Sequence, residues 1–232
     1  GAHQDDLEIM AFHGVLACFD SPDSWFCGVT CTEGSGGPRK QGLEHLSPTQ
    51  LGALRNEEQE RAAELGRYGA MVQLNYVSAD VKNKDKTDVI ADLHELLSAA
   101  QPEVVYTHNP ADKHDTHVGV VIATLEAIRA MPVDQRPGRL YGCEVWRDLD
   151  WLGDDEKVRL DVGGNDRLAE ALIACHDSQV TTAKRYDLAT IGRRRANATY
   201  SDSHGDVPEA YLTHAMDLSP LISDPGLSLK DF

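Results

Sequence analysis

The spacing of apolar residues predicts an α/β fold with a mostly parallel sheet. Three observations carry this. Helix-period and strand-period segments alternate through the first 130 residues, the pattern of strands joined by helical crossovers. The strand segments are short and apolar, and they empty into polar or glycine-rich loops. The chain has 232 residues, 41% of them hydrophobic, enough to bury a full core and to exclude a disordered chain. One domain over 1–232 is expected.

Each element has its own signal. Leu7, Met10, Ala11, Gly14, Val15 and Ala17 recur at helical spacing, so residues 7–18 read as helix. Trp25 to Cys31 (WFCGVTC) reads as a buried strand that runs into a loop from Thr32 to Pro38. Strong helix formers fill 49–67, with Gly66 near the C-terminal end. Met71 to Val77 alternates as a strand, and 87–100 is an amphipathic helix opening at a Thr87 or Asp88 cap. Glu103 to Thr107 is the next buried strand, followed by a polar loop from His108 to Asp115 and a helix through Ala130. Beyond it, Leu140 to Arg147 reads as strand, 165–175 as helix and 180–195 as a basic helix. Residues 218–232, with Pro220 and Pro225, read as an irregular tail. Such a fold normally opens with an apolar strand. Here a charged cluster comes at once, and the first strand is expected upstream of residue 1.

Charge narrows the choice of partners. Asp and Glu total 38 against 22 Lys and Arg, a net charge of −16, which repels nucleic acid and anionic membrane surfaces. No apolar run approaches the ~20 residues of a bilayer span. The five cysteines, Cys18, Cys27, Cys31, Cys143 and Cys175, are odd in number and form no CxxC pair, so a reduced, cytoplasmic protein is expected.

In open α/β sheets, ligands sit beyond the carboxyl ends of the strands. The polar residues at those junctions are His3, Gln4, Asp5 and Asp6, and then His108, Asp112, His114, Asp115 and His117. Catalytic zinc takes three ligands of the His, Asp, Glu or Cys type and leaves a position for water. His3 and Asp6 are three apart across a turn; His114 and His117 are three apart at a helix start and share a face. Two imidazoles and a carboxylate suit Zn²⁺, and no cysteine is nearby. Of the adjacent Asp5 and Asp6, one can hold metal while the other stays free as a general base. Taken alone, each segment has a plainer reading: Asp-Asp before a helix as an N-cap, and HxxH as surface decoration.

Together the motifs resemble those of the zinc-dependent PIG-L/LmbE-like N-acetylglucosaminyl deacetylases. Ala2-His3-Gln4-Asp5-Asp6-Leu7-Glu8 resembles the family's AHPDDE signature, and Thr30-Cys31-Thr32-Glu33-Gly34 its strand and Thr-x-Gly loop. Arg55-Asn56-Glu57-Glu58 followed by Ala62-Ala63-Glu64-Leu65-Gly66 resembles its R-x-x-E…A-A-x-x-L-G helix. Asp80 stands where the family has an Asp after the next strand. Thr107 to His117 is similar to the second metal segment, and His176-Asp177-Ser178-Gln179 to the late H-x-S-Q. The resemblance spans about residues 2–200. It implies a Rossmann-like three-layer fold and one Zn²⁺ per chain, with another divalent metal also compatible. It implies His3, Asp6 and His117 as ligands and Asp5 as general base. His114 would stabilise the oxyanion or act as general acid, and Arg55 and Asp80 would contact sugar hydroxyls. For His176 it gives no firm role; a supporting hydrogen bond or core contact is expected rather than catalysis. Two departures stand out. Gln4 replaces the usual Pro, which should loosen the turn. Thr116 replaces the usual Asp before the last His, which leaves the orientation of His114 to Asp112 or Asp115.

Other signals read more plainly. Gly34-Ser35-Gly36-Gly37 fits neither phosphate-binding fingerprint and reads as a mobile loop near the mouth of the site. Asp80 to Asp92 fails the calcium-loop spacing. Lys184, Arg185, Arg193, Arg194 and Arg195 read as a solvated basic helix paired with acidic neighbours, with an anionic substrate tail as the alternative. Trp25, Trp146 and Trp151 read as core or rim, with Trp146-Arg147-Asp148 available to line the entrance. The expected function is removal of an N-acetyl or other N-acyl group from an amino sugar or glycoconjugate by metal-activated water. The alternatives are an amidase acting on a thiol-sugar conjugate and a catalytically silent sugar-binding module. The expected partner is a small-molecule N-acetylated sugar, with no nucleic acid and no membrane; a homo-oligomer stays open.

Overall fold

The computed structural model describes residues 1–37, 39–85, 87–181, 184–224 and 226–232. Pro38, Pro225 and residues 182–183 of the expected 180–195 helix lie outside the described residues. The chain runs α1 (Asp6–Met10), α2 (Phe12–Phe19), β1 (Cys27–Thr32), α3 (Pro48–Leu65), β2 (Ala70–Tyr76), α4 (Ser78–Val81), α5 (Asp88–Ala100), β3 (Val104–His108), α6 (Asp115–Ala130), β4 (Arg139–Cys143), β5 (Lys157–Asp161), α7 (Asp166–Ala174), α8 (Tyr186–Thr199), β6 (Leu212–Asp217) and α9 (Ser219–Ser223). The α/β class is as expected. No helix among the described residues is long and apolar enough to cross a membrane.

Two compact units divide the chain. The first holds Gly1, His3–Asn75 and Arg159–Thr213. In it β1 pairs with β2. Gly1 also pairs with β1, its N–H reaching Val29 O at 2.7 Å and its carbonyl accepting from Cys31 N at 3.0 Å. α3 is closed at its start by a reciprocal capping box, Ser47 with Gln50, and has Pro48 in its first turn, where a missing N–H costs nothing. Its buried face carries Leu51, Arg55, Glu58, Gln59 and Ala62 at helical spacing. α7 packs on α1, α3 and α8.

The helix expected over 7–18 is in fact two, broken at Ala11. The Glu8 and Ile9 carbonyls, which an unbroken helix directs at residues 12 and 13, receive the Arg194 guanidinium at 2.7 and 3.1 Å. Arg194 lies 4.8 Å over the Phe12 ring and is 2% exposed. Burial brings its pKa down to about 10. The reading of residues 184–195 as a solvated basic helix therefore fails at Arg194, whose guanidinium stops a helix from inside. It holds at Arg185, which pairs with Asp187 at 2.6 Å on the surface.

The second unit holds Ala2, Tyr76–Val158 and His214–Phe232. β3 runs parallel to β4, from Val104 opposite Arg139 to His108 opposite Cys143, with α6 in the crossover. β4 pairs antiparallel with β6, Tyr141 opposite Asp217, so the four-stranded sheet, in the order β3-β4-β6-β5, is mixed. Val121, Leu125, Ile128, Leu140, Leu149, Leu218 and Leu221 form its core. The strand expected through Arg147 ends at Cys143. There the chain turns away, with Glu144 accepting Leu149 N–H and Asp112 accepting Trp146 N–H. Within the stretch expected to be irregular, α9 forms over Ser219–Ser223. Arg129 and Arg136 hold this stretch through the carbonyls of Leu221, Ile222, Asp224 and Leu227.

Candidate active site

In the first unit, the turn from His3 to Asp6 is held by short local bonds. Asp6 Oδ2 accepts the His3 N–H at 2.7 Å and lies 3.4 Å from His3 Nδ1. Two ligand atoms about 2.1 Å from a tetrahedral ion sit roughly 3.4 Å apart, so this pair fits one edge of a zinc polyhedron. The chemistry and spacing of this pair fit a divalent metal.

Asp5 follows a different logic. It occupies the N-cap position of α1, yet its side chain caps nothing, and its φ is +99°. A non-glycine residue there is strained by on the order of 1–3 kcal/mol and persists only where neighbours over-determine it. Its carboxyl is buried. Burial, then the Asp6 and Glu8 carboxylates, push its pKa well above the usual range, while Arg55 opposes them. A bound cation would act in the same direction as Arg55.

Gln4, the residue in place of proline, tightens the turn by other means. Its side chain is fully buried, and Nε2 donates to Thr32 O at 3.1 Å, Asn56 Oδ1 at 2.9 Å and Gln73 Oε1 at 3.3 Å. Where proline would fix φ, three hydrogen bonds fix the side chain.

Behind the turn lies a buried polar network that the sequence reading left largely unassigned. Asp5 N–H donates to Gln59 Oε1 at 3.3 Å, and Gln59 Nε2 donates to Glu8 Oε1 at 2.9 Å. Glu8 also takes the Tyr68 hydroxyl at 2.7 Å and His176 Nε2 at 2.9 Å. His176 thus makes a supporting hydrogen bond. Burial alone would raise the Glu8 pKa; the His176 imidazole, Tyr68 and Gln59 more than offset it and hold the carboxyl below its ordinary value. The rest of the H-D-S-Q segment is equally engaged. Asp177 takes Lys40 Nζ at 2.5 Å. Ser178 donates its N–H and hydroxyl to Glu58 at 2.7 and 2.6 Å, and Gln179 Nε2 donates to Gln4 O.

Arg55, expected at sugar hydroxyls, donates Nη1 to the carbonyls of Gly34 and Gly36. The glycine loop is thus tied down at that end. Gly34 has φ +65°, and a Cβ there would overlap Gln4 Oε1. Tyr186, at the start of α8, is half-buried; burial and the Asp5 and Asp6 carboxylates push its phenol up to about 12.

In the second unit, β3 delivers His108 and the loop after it delivers Asp112, His114 and His117 to the start of α6. His117 is fully buried, with Nδ1 3.4 Å from Asp112 Oδ2, which orients the ring. Burial raises the Asp112 pKa, but the hydrogen bond and charge of His117 outweigh it and hold the carboxyl low. The His117 ring stacks on His108 at 3.9 Å and on His114 at 4.6 Å. Ala2 N–H donates to His108 Nε2 at 2.9 Å. His114 caps α6: its Nδ1 accepts Thr116 N–H at 3.3 Å, so the neutral ring carries its proton on Nε2. Asp112 Oδ1 accepts the His114 backbone N–H at 3.0 Å. The orientation of His114 therefore comes from the helix end, through a main-chain N–H that any residue but proline supplies at 116, and from Asp112 on its backbone. The Trp146 ring lies 6.5 Å from that of His114, while Trp25 and Trp151 are exposed. Asp80 sits half-exposed on α4, which packs on α6 at Gly119.

Sequence reasoning missed Glu8, Gln59 and Tyr186 as parts of the site. Gln59 was detectable: Arg55, Glu58 and Gln59 fall at i, i+3 and i+4 on the face that also carries Leu51 and Ala62, and polar side chains on a buried face mark partners to satisfy.

Comparison with known proteins bears on the family and the fold. A model of the PIG-L family, described as GlcNAc-PI de-N-acetylase, matches residues 1–128. An N,N'-diacetylchitobiose deacetylase from Pyrococcus horikoshii has a TM-score of 0.73 at 17% identity, over 96% of this chain and 83% of that one. The 4-carboxy-2-hydroxymuconate hydratase GalB from Pseudomonas putida KT2440 has a TM-score of 0.69 at 18% identity, over 94% and 93%. A deacetylase of the A40926 pseudoaglycone has a TM-score of 0.64 at 17% identity, over 93% of both chains. These likenesses show the fold, which serves a hydratase as well as deacetylases. No curated protein matches the chain. The family match spans more than half of the sequence and takes in both His/Asp segments, and the chain belongs to the PIG-L family of de-N-acetylases.

Proposed function

We propose that the protein is a metal-dependent hydrolase that removes an N-acetyl group from an amino sugar or related glycoconjugate. The observation that carries this reading is Asp5: a buried carboxyl, uncapped and held at φ +99°, beside a His3–Asp6 pair with the spacing of metal ligands. His3, Asp6 and His117 are proposed to hold one divalent ion, with zinc the best match to two imidazoles and a carboxylate. Support on the His117 side comes from Asp112, which orients Nδ1.

When bound, the ion supplies a Lewis acid and lowers the pKa of the attacking water to about 7. Asp5 then takes the proton from that water and passes it on towards the departing amine. His114 offers its Nε2–H to the oxygen on which charge develops, because its Nδ1 is committed to the Thr116 N–H. Arg55, whose Nη1 holds the Gly34 and Gly36 carbonyls, is proposed to meet a sugar hydroxyl with its other donors, and Asp80 is proposed to meet another.

The test is a screen of N-acetylated sugars for released acetate and free amine, coupled to elemental analysis. Asp5→Asn is expected to retain metal and to lose roughly 10²-fold or more in turnover. His117→Ala is expected to lose the metal itself. Undiminished turnover in Asp5→Asn would refute the role of Asp5 as base.

A further inference from the structure

The Gln4–Asp5 peptide is gripped at both of its polar ends. Its carbonyl accepts from Gln179 Nε2, and its N–H donates to Gln59 Oε1 at 3.3 Å. The two side chains come from distant stretches of sequence, Gln59 from α3 and Gln179 from the short turn Asp177–Gln179. We infer that Gln59 and Gln179 are positioning residues that clamp the Gln4–Asp5 peptide plane and so fix the direction of the Asp5 carboxylate.

A flip of that plane by about 180° would carry φ of Asp5 from +99° to the negative side that non-glycine residues prefer. It would also exchange the carbonyl and N–H positions. Gln179 would then face an N–H with a donor, and Gln59 would face a carbonyl with an acceptor. Gln59 cannot rotate its amide to suit, because its Nε2 already donates to Glu8 Oε1 at 2.9 Å, and Glu8 is a carboxylate held also by Tyr68 and His176. The flipped state therefore sets a buried carbonyl against the fixed Gln59 acceptor and breaks the bond from Gln179. The strain at Asp5 persists because both ends of one peptide are spoken for.

The catalytic consequence rests on the reading of Asp5 as general base; the conformational consequence does not. Gln59→Met and Gln179→Met keep the length of the side chain and remove its hydrogen bonds. Each is expected to lower kcat by roughly 10-fold, the scale of a misdirected base, with KM within about twofold and metal content unchanged. The double variant is expected to lose much less than the product of the two single losses, because both clamps act on one peptide.

A second cycle reads conformation without activity. In an Asp5→Gly background, the left-handed conformation carries no penalty. There, Gln59→Met is expected to lower Tm by less than it does with Asp5 in place, the lost bond to Glu8 being common to both. Equal Tm losses in the two backgrounds would overturn the clamp, whatever Asp5 does in catalysis. Coupled Tm losses together with a fully active Asp5→Asn would keep the clamp and sink the base.

Discussion

Replacing His176 with leucine tests the buried network behind the turn. His176 Nε2 lies 2.9 Å from Glu8 Oε2, and both side chains are buried. Breaking a buried pair by removing one partner costs about 3–5 kcal/mol, because the remaining charge is left behind. Glu8 would keep the Tyr68 hydroxyl and Gln59, which places the cost near the lower end, about 3 kcal/mol. For a chain of this size, that is a fall of roughly 6–12 °C in Tm. The pH dependence has a defined sign. Glu8 has a lowered pKa in the folded protein, so its contribution is complete above its ordinary value of 4.5 and fades as pH drops through the lowered one. In the leucine variant the Tyr68 and Gln59 hydrogen bonds remain but the His176 imidazole, the largest opposing group, is gone, so burial raises the Glu8 pKa relative to the parent and protonation relieves the variant first. The stability gap between the two proteins is therefore largest near pH 7 and narrows on acidification. Thermal melts followed by circular dichroism at pH 7 and pH 5 measure it. A Tm within about 2 °C of the parent at pH 7, or a gap that does not shrink, would refute the reasoning.

Three further outcomes are expected. Arg194→Met should cost about 1.5–3 kcal/mol through the lost charged hydrogen bonds to Glu8 O and Ile9 O, and Arg194→Lys should not recover it, since an ammonium lacks the planar fork; chemical denaturation decides. Gly34→Ala should lower Tm and turnover together. Its φ of +65° and the crowding by Gln4 Oε1 together cost on the order of 2 kcal/mol, and an unchanged Tm would show the loop to be more pliant than its bonds to Arg55 imply. A chelator should abolish turnover and lower Tm, by an amount equivalent to about 2.7 kcal/mol where the metal stands at 100 times its Kd, and readdition should reverse both.

Much of the fold could be read from local pattern. The helix from Pro48 and the strand before His108 lie within a residue or two of their expected ends, because caps and apolar runs are local signals. β5 and β6 went unread, since KVRLD and LTHAMD carry few β-branched residues and take their stability from pairing partners far along the chain. The break at Ala11 was equally invisible, for its agent is Arg194, 183 residues away. At the site, the motifs pointed to side chains that the fold sets at the His3–Asp6 turn and at the start of α6, but not to what holds them there. Gln4 reads as a loosened turn in the sequence, while its partners Thr32, Asn56 and Gln73 lie far along the chain; the hold on His114 is a main-chain N–H, which no residue type at 116 announces.

Arg129 and Arg136 hold Leu221, Ile222, Asp224 and Leu227 by main-chain oxygens. Every residue type offers that oxygen, so the grip is indifferent to the identity of the side chains it passes. Natural variants of this segment can therefore drift widely in spelling wherever a side chain stays out of the interior. A single inserted or deleted residue would shift the oxygens out of register and would be far less forgiven.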